Sequence, residues 1–143
     1  MSKYTLLQNV VRFAEKHSDD PRTKVGACLV HDHKHTFGAN RFYSLPENKT
    51  KEEVVNDREL KLQYVTHAEV DALSNCDNAK DGTLYVNYVP CDKCAKRIIE
   101  SGVKKVIALD HSDDLAMVER WGKYWEIGRQ MFRENGIELV EQK

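Results

Sequence analysis

Between residues 4 and 17 the apolar positions fall at Leu6, Leu7, Val10, Val11 and Ala14. Steps of three and four put them on one helical face, and Ser18-Asp19-Asp20-Pro21 breaks that helix. The period then changes. Val25 to Val30 is a short apolar run, His31 to Lys34 is polar, and Thr36 to Ala39 returns as a strand, which predicts a β-hairpin. Residues 41–63 are polar and irregular, with Pro46 and charges from Lys49 to Lys61, and predict a loop followed by a short helix. His67 to Ser74 predicts a helix with Ala68, Ala72 and Leu73 on or near one face. Gly82 precedes a strand, Thr83 to Asn87. Pro90 and Cys91 open a helix that runs to Ser101, with Gly102 as its C′ residue. Val103 to Leu109 holds a strand. Residues 117–134 predict a last long helix, with Met117, Val118, Trp121, Trp125, Met131 and Phe132 largely on one side. Gly136 ends it before a final strand, Ile137 to Val140.

The order α-β-β-α-β-α-β-α-β predicts an α/β fold: a mixed sheet with helices on both faces. We expect residues 1–143 to form one domain, since a chain this long buries roughly 68–70% of its unfolded surface. No internal repeat or low-complexity segment is present.

Composition then narrows the function. Hydrophobic residues at 41% and charged residues at 31% fit a soluble globular chain. The net charge of −1 lacks the basic excess of a nucleic-acid binder, which favours a small-molecule substrate. The first residues carry no apolar signal region, and no stretch approaches the ~18 apolar residues of a membrane span. We therefore expect a cytoplasmic protein whose four cysteines serve metal or redox chemistry rather than disulfides.

The chemistry concentrates in a split motif: His67-Ala68-Glu69, then Pro90-Cys91-Asp92-Lys93-Cys94. A catalytic zinc needs three protein ligands and an open fourth position for water. Cys91 and Cys94, three apart at a helix start, put both sulfurs on one side, where the helix dipole favours thiolate. His67 opens another helix, and Glu69 sits close enough to move protons without competing as a ligand. Taken alone, Cys91-x-x-Cys94 also fits a redox pair or half of a structural zinc site. A redox pair gives no reason for His67-x-Glu69. A closed structural site needs a fourth ligand, for which Cys28, Cys76 or another histidine is available. Cys28 lies in an apolar strand and reads as core; Cys76, after a helix, has no evident role.

The His-x-Glu and Pro-Cys-x-x-Cys pairing is the signature of zinc-dependent nucleobase deaminases. From about residue 18 to 140 the chain resembles the cytidine and deoxycytidylate deaminase superfamily, and within it the deoxycytidylate deaminases. The resemblance rests on Lys24-Val-Gly-Ala27, Gly38-Ala-Asn40, Asn56-Asp-Arg-Glu-Leu-Lys61, His67-Ala-Glu69 and the run from Pro90 to Val106. It implies a three-layer α/β/α fold around a central five-stranded mixed sheet. It implies Zn²⁺ on His67, Cys91 and Cys94, with Glu69 as proton shuttle in hydrolysis of dCMP to dUMP and ammonia. Asn40 would contact the sugar, and the backbone N–H groups of Ala68 and Cys91 would orient the base. A homo-oligomer, hexamer or dimer, is also implied, as are dCTP and dTTP effectors with Mg²⁺.

tRNA adenosine deaminases share the two motifs. However, 26 residues separate Asn40 from His67 here, and Ala-Lys-Arg-Ile-Ile follows Cys94, where that group has a short connection and Ala-Gly-Ala. Free cytidine deaminases carry Cys at the position of His67. The non-enzymatic alternative is a structural-zinc interaction module. Departures from the deoxycytidylate pattern are Ala39, Arg41 and Asp71, the last standing for an Asn. Arg22, Lys24 and Arg41 flank the hairpin and are candidates for phosphate or effector contact, Lys24 also for substrate. His31, His33 and His35 alternate near the hairpin turn, which suits exposure or a second metal. Trp121, Tyr124 and Trp125 suit core, interface or base stacking.

Overall fold

The computed structural model describes residues 3–143. Helix α1 (Lys3–His17) leads into a hairpin, β1 (Gly26–His31) and β2 (Lys34–Ala39). Two short helices follow, α2 (Lys51–Val55) and α3 (Arg58–Tyr64). The rest alternates: α4 (Ala68–Asn75), β3 (Thr83–Val86), α5 (Asp92–Ser101), β4 (Lys105–Leu109), α6 (Leu115–Glu134) and β5 (Glu138–Gln142). No helix among the described residues is long and apolar enough to cross a membrane.

The strands form one sheet in the order β2-β1-β3-β4-β5. β1 runs antiparallel to β2 and β3, while β3, β4 and β5 are parallel. The expected five-stranded mixed sheet is thus present. Successive side chains of a strand point to opposite faces, and β1 shows the result. Ala27 and Leu29 enter the main core with residues of α4, α5 and α6, whereas Cys28 packs with Leu6 and Val10 of α1. Helices therefore cover both faces, giving three layers.

The hairpin turn is two residues long. Asp32 and His33 both take positive φ, 48° and 65°, and His31 pairs with Lys34 across it. That backbone twist matches the twist of the flanking strands. It also scatters the three histidines: His31 lies on β1, His33 in the turn and His35 on β2. They do not line one side of a strand, and they form no metal-sized cluster among the described residues.

Residues 41–63 hold more structure than their pattern predicts. Thr50 and Glu53 make a reciprocal capping box that starts α2, and Asp57 caps α3 through Leu60 N–H. These helices are too short to show an apolar period. With Phe42 they bury Val54 and Val55 in a small cluster of their own.

α4 lies directly on β2. A Cβ at Gly38 would sit 2.4 Å from Ala72 N and 2.5 Å from Ala68 O, so only glycine allows this approach. That contact sets the height of the His67–Glu69 segment above the sheet.

Candidate metal centre

Two helix N-termini meet above the sheet. His67 is the N-cap of α4 and Cys91 the N-cap of α5, both with extended backbone. Neither side chain caps its own helix, so both are free to face the space between them. Cys94 follows in the first turn of α5 and is buried. One donor atom from each of His67, Cys91 and Cys94 lies within 4.8 Å of the others. His67 Nδ1 sits 3.3 Å from Cys94 Sγ. Tetrahedral zinc with ordinary bond lengths needs S···N separations of about 3.6 Å and S···S of about 3.8 Å, so the donor set fits the ion.

Glu69 is 4% exposed. Burial raises its carboxyl above the usual range; the charge on Cys91 adds to this, and His67 opposes it. Cys91 is held down to about 4, first by the hydrogen bond from Cys94 and then by His67. Cys94 is pushed up by the same contact and by burial. His67 is raised, chiefly by its hydrogen bond with Cys91. The cluster thus holds a ready thiolate, an imidazole hydrogen-bonded to it and a carboxyl whose proton affinity is raised by burial.

The backbone around the ligands is tightly placed. Gly128 of α6 faces Pro90, where a Cβ would lie 2.4 Å from Pro90 O. Asp71, two residues beyond Glu69, is 1% exposed. It accepts a hydrogen bond from Ala39 N–H at 3.0 Å, another from Tyr43 O–H and a third from Asn75 Nδ2 at 3.2 Å. Arg41 Nε lies 3.2 Å from the same carboxylate, and the guanidinium stacks 5.4 Å from the Phe13 ring centroid. The two departures at Arg41 and Asp71 therefore face each other as an ion pair.

Asn40 is 7% exposed and occupied by protein groups. Its Oδ1 accepts from Val25 N–H and Ser18 O–H, and its Nδ2 donates to Thr23 O. Ala68 is fully buried at the first helical position of α4. Arg22 Nη2 donates to Val55 O at 3.0 Å. Trp125 is core, Trp121 packs against that core, and Tyr124 is exposed. Cys28 is buried and free, its thiol pushed up to about 12 by burial.

A cleft of about 300 Å³ is lined by Glu15, Arg22, Lys24, Asn87, Tyr88 and His111 among others. Sequence reasoning found Arg22 and Lys24 but missed Asn87, Tyr88 and His111. One signal was available: Asn87 is a polar residue ending an apolar strand just before Pro90-Cys91.

Three metal donors at two helix starts, a buried carboxylate beside them and a mixed sheet beneath define the class as a zinc-dependent deaminase fold. Comparison with known proteins agrees. The sequence model for the cytidine and deoxycytidylate deaminase zinc-binding region matches residues 1–110, and the chain belongs to that family. It is 30% identical to an uncharacterized deaminase of Aliivibrio fischeri, covering 86% of this chain and 82% of the relative. It is 32% identical to human deoxycytidylate deaminase, covering 78% and 68%. It is 33% identical to a probable deoxycytidylate deaminase of Caenorhabditis elegans, covering 81% of this chain but 61% of that one. The fold is shared with apo dCMP deaminase of the cyanophage S-TIM5, with TM-score 0.69 at 23% identity over 98% of this chain and 96% of that one.

Proposed function

We propose that this protein deaminates dCMP hydrolytically to dUMP and ammonia, and that residues 1–143 act as one catalytic domain. The observation that carries the reading is the convergence of His67, Cys91 and Cys94 beside the buried Glu69. Family membership and the names of the curated relatives favour a cytosine deoxynucleotide over other bases.

His67, Cys91 and Cys94 hold the zinc. Bound there, zinc supplies Lewis acidity that makes water nucleophilic near neutral pH. Glu69 takes a proton at its carboxylate, delivers it to N3 of the ring and then serves the departing amine. A carboxylate made more basic by burial suits that shuttle, which contributes about 10²–10⁴-fold in comparable sites. The N–H of Ala68 has no partner within α4, as at any helix start, and is placed to orient the base. Asn40 positions the 23–25 backbone at the sugar side through the bonds described above.

The reading carries with it a cytoplasmic location and a homo-oligomer. Regulation by dCTP and dTTP with Mg²⁺ would draw on Arg22, since Arg41 is already committed to Asp71.

Ammonia release is to be measured with dCMP, dCTP, CMP, cytidine, deoxycytidine and a tRNA anticodon stem-loop. Turnover of dCMP is expected, and turnover of the stem-loop alone would overturn the substrate assignment. Glu69→Ala is expected to abolish turnover while one zinc per chain stays bound. Persistent activity in that variant would refute the shuttle, and so would a structural-zinc protein with no activity in the wild type.

A further inference from the structure

One residue grips both ends of the turn that carries His67 and Glu69. Arg41 lies two residues past the end of β2. Its backbone forms a reciprocal bridge with Thr66, the residue before His67: Arg41 N–H donates to Thr66 O at 3.0 Å, and Thr66 N–H donates to Arg41 O at 2.7 Å. Its side chain reaches Asp71, four residues beyond His67, with Nε 3.2 Å from Oδ2. Asp71 N–H in turn donates to His67 O at 2.9 Å and closes the first turn of α4. Residues 66–71 therefore meet Arg41 at both ends, with His67, Ala68 and Glu69 between them.

The same side chain is supported from the other face of the sheet. β2 is an edge strand, with α1 packed on one face and α4 on the other. The Arg41 guanidinium lies 5.4 Å from the ring centroid of Phe13 in α1, and Phe13 stacks on Phe37 of β2 at 5.1 Å. Arg41 thus wraps the sheet edge and joins the two helix layers beside the metal donors. Apolar packing would join two layers as well, since replacing a buried ion pair by packed hydrophobic side chains is often neutral or stabilising. What the pair adds is direction, because a guanidinium is a planar, rigid fork. The Asp71 carboxylate is held against rotation as well: Oδ2 accepts from Ala39 N–H, and Oδ1 accepts from the Tyr43 hydroxyl and Asn75 Nδ2.

We propose that Arg41 is a positioning residue for the metal centre: acting through Thr66 and Asp71, it sets the first turn of α4 and with it the His67 donor and the Glu69 carboxylate. This role rests on the deaminase reading above and adds to it a residue outside the two motifs. Position matters at this turn for two reasons. A misplacement of about 1 Å at a reacting group can cost about 10²-fold in rate. Groups that orient metal ligands typically carry about 10–100-fold in metal affinity or activity.

The test separates positioning from stability. Arg41→Met leaves Asp71 as a buried, unpaired carboxylate. Arg41→Met combined with Asp71→Asn replaces the ion pair by a neutral pair, while the Asn side-chain oxygen still accepts from Ala39 N–H. The zinc-loaded wild type, the Arg41→Met and Asp71→Asn single variants and the double variant are compared for Tm and for kcat and KM on dCMP. They are also compared for the rate of zinc transfer to a chromogenic chelator and for hydrogen exchange in a peptide spanning residues 66–73. Arg41→Met is expected to lower Tm and kcat together. The double variant is expected to regain a Tm within about 3 °C of wild type. Its kcat should stay about 10-fold low at unchanged KM, and its zinc transfer about 10-fold fast, with faster exchange over residues 66–73. Recovery of kcat and zinc retention together with Tm would overturn the positioning role. Asp71→Asn alone leaves Arg41 unpaired, but that side chain is 27% exposed and reaches water, so this variant folds. It is expected to show the same changes in kcat and zinc transfer, and wild-type values in it would equally overturn the role. Zinc transfer and exchange need no turnover. If the wild type deaminates no cytosine substrate yet the variants lose zinc faster, the reaction assignment falls and the positioning role stands.

Discussion

Replacing Asp71 by Ala removes a buried carboxylate that serves four partners. Ala39 N–H, the Tyr43 hydroxyl and Asn75 Nδ2 lose an acceptor, and Arg41 loses its counter-charge. Leaving one member of a fully buried ion pair alone costs about 3–5 kcal/mol. The Arg41 side chain is 27% exposed, so water recovers part of that. Adding the lost acceptor at the buried Ala39 N–H, the expected loss is about 2–4 kcal/mol. At this chain length roughly 3 °C is lost per kcal/mol, which gives a fall in Tm of about 6–12 °C. The assay is urea unfolding of the zinc-loaded wild type, Asp71→Ala, Arg41→Ala and the double variant. Because the pair is in contact, the double variant should recover about 1–3 kcal/mol relative to the sum of the singles. Coupling below about 0.5 kcal/mol would refute the ion pair as a structural element. Since the same carboxylate holds Ala39, next to Asn40, Asp71→Ala should also raise KM for the substrate.

Three further outcomes are expected. Gly128→Ala drives a methyl onto Pro90 O, so it should cost about 1–3 kcal/mol in urea unfolding and weaken zinc retention against a chelator; an unchanged zinc affinity would remove Gly128 from the metal centre's support. Asp20 is opposed by burial, but Lys61 and the N–H groups of Arg22 and Thr23 win and hold its carboxyl below the usual value. Its stabilisation is therefore complete above the unfolded value near ~4 and is lost as pH falls through the lower folded value, so the stability gap between wild type and Asp20→Asn should shrink between pH ~4 and more acid conditions, and a pH-independent gap would contradict this. Chelation of zinc should expose Cys91, whose thiol is held down to about 4, to alkylation, read by peptide mass, while Cys28, buried with its thiol pushed up to about 12, stays unmodified at pH 8; zinc-independent labelling of Cys91 would count against it as a ligand.

Local pattern determined much of this protein. The 3.6-residue period of α1 and α6, the hairpin, the strand before Pro90 and the Gly102 stop are all set by neighbours in sequence, because helix faces, turns and caps are short-range physics. The metal ligands were legible for the same reason: Cys91-x-x-Cys94 lies on one helical turn, and His67 and Glu69 are two apart. α2 and α3 were only partly legible, since helices of 5 and 7 residues show capping but no period.

What tertiary structure alone decided joins residues far apart in the chain. Arg41 and Asp71 looked like two unrelated departures until the close seat of α4 on Gly38 brought them together. Asn40 looked free for ligand, but the approach of the 18–25 loop engages its carboxamide with Thr23 and Val25. Asn87 meets both Lys24 and His111 because parallel β3 and β4 finish at the same end of the sheet, beside the start of β1. Buried polar groups must find partners wherever the fold puts them, and no spacing rule in the sequence says which partner that is.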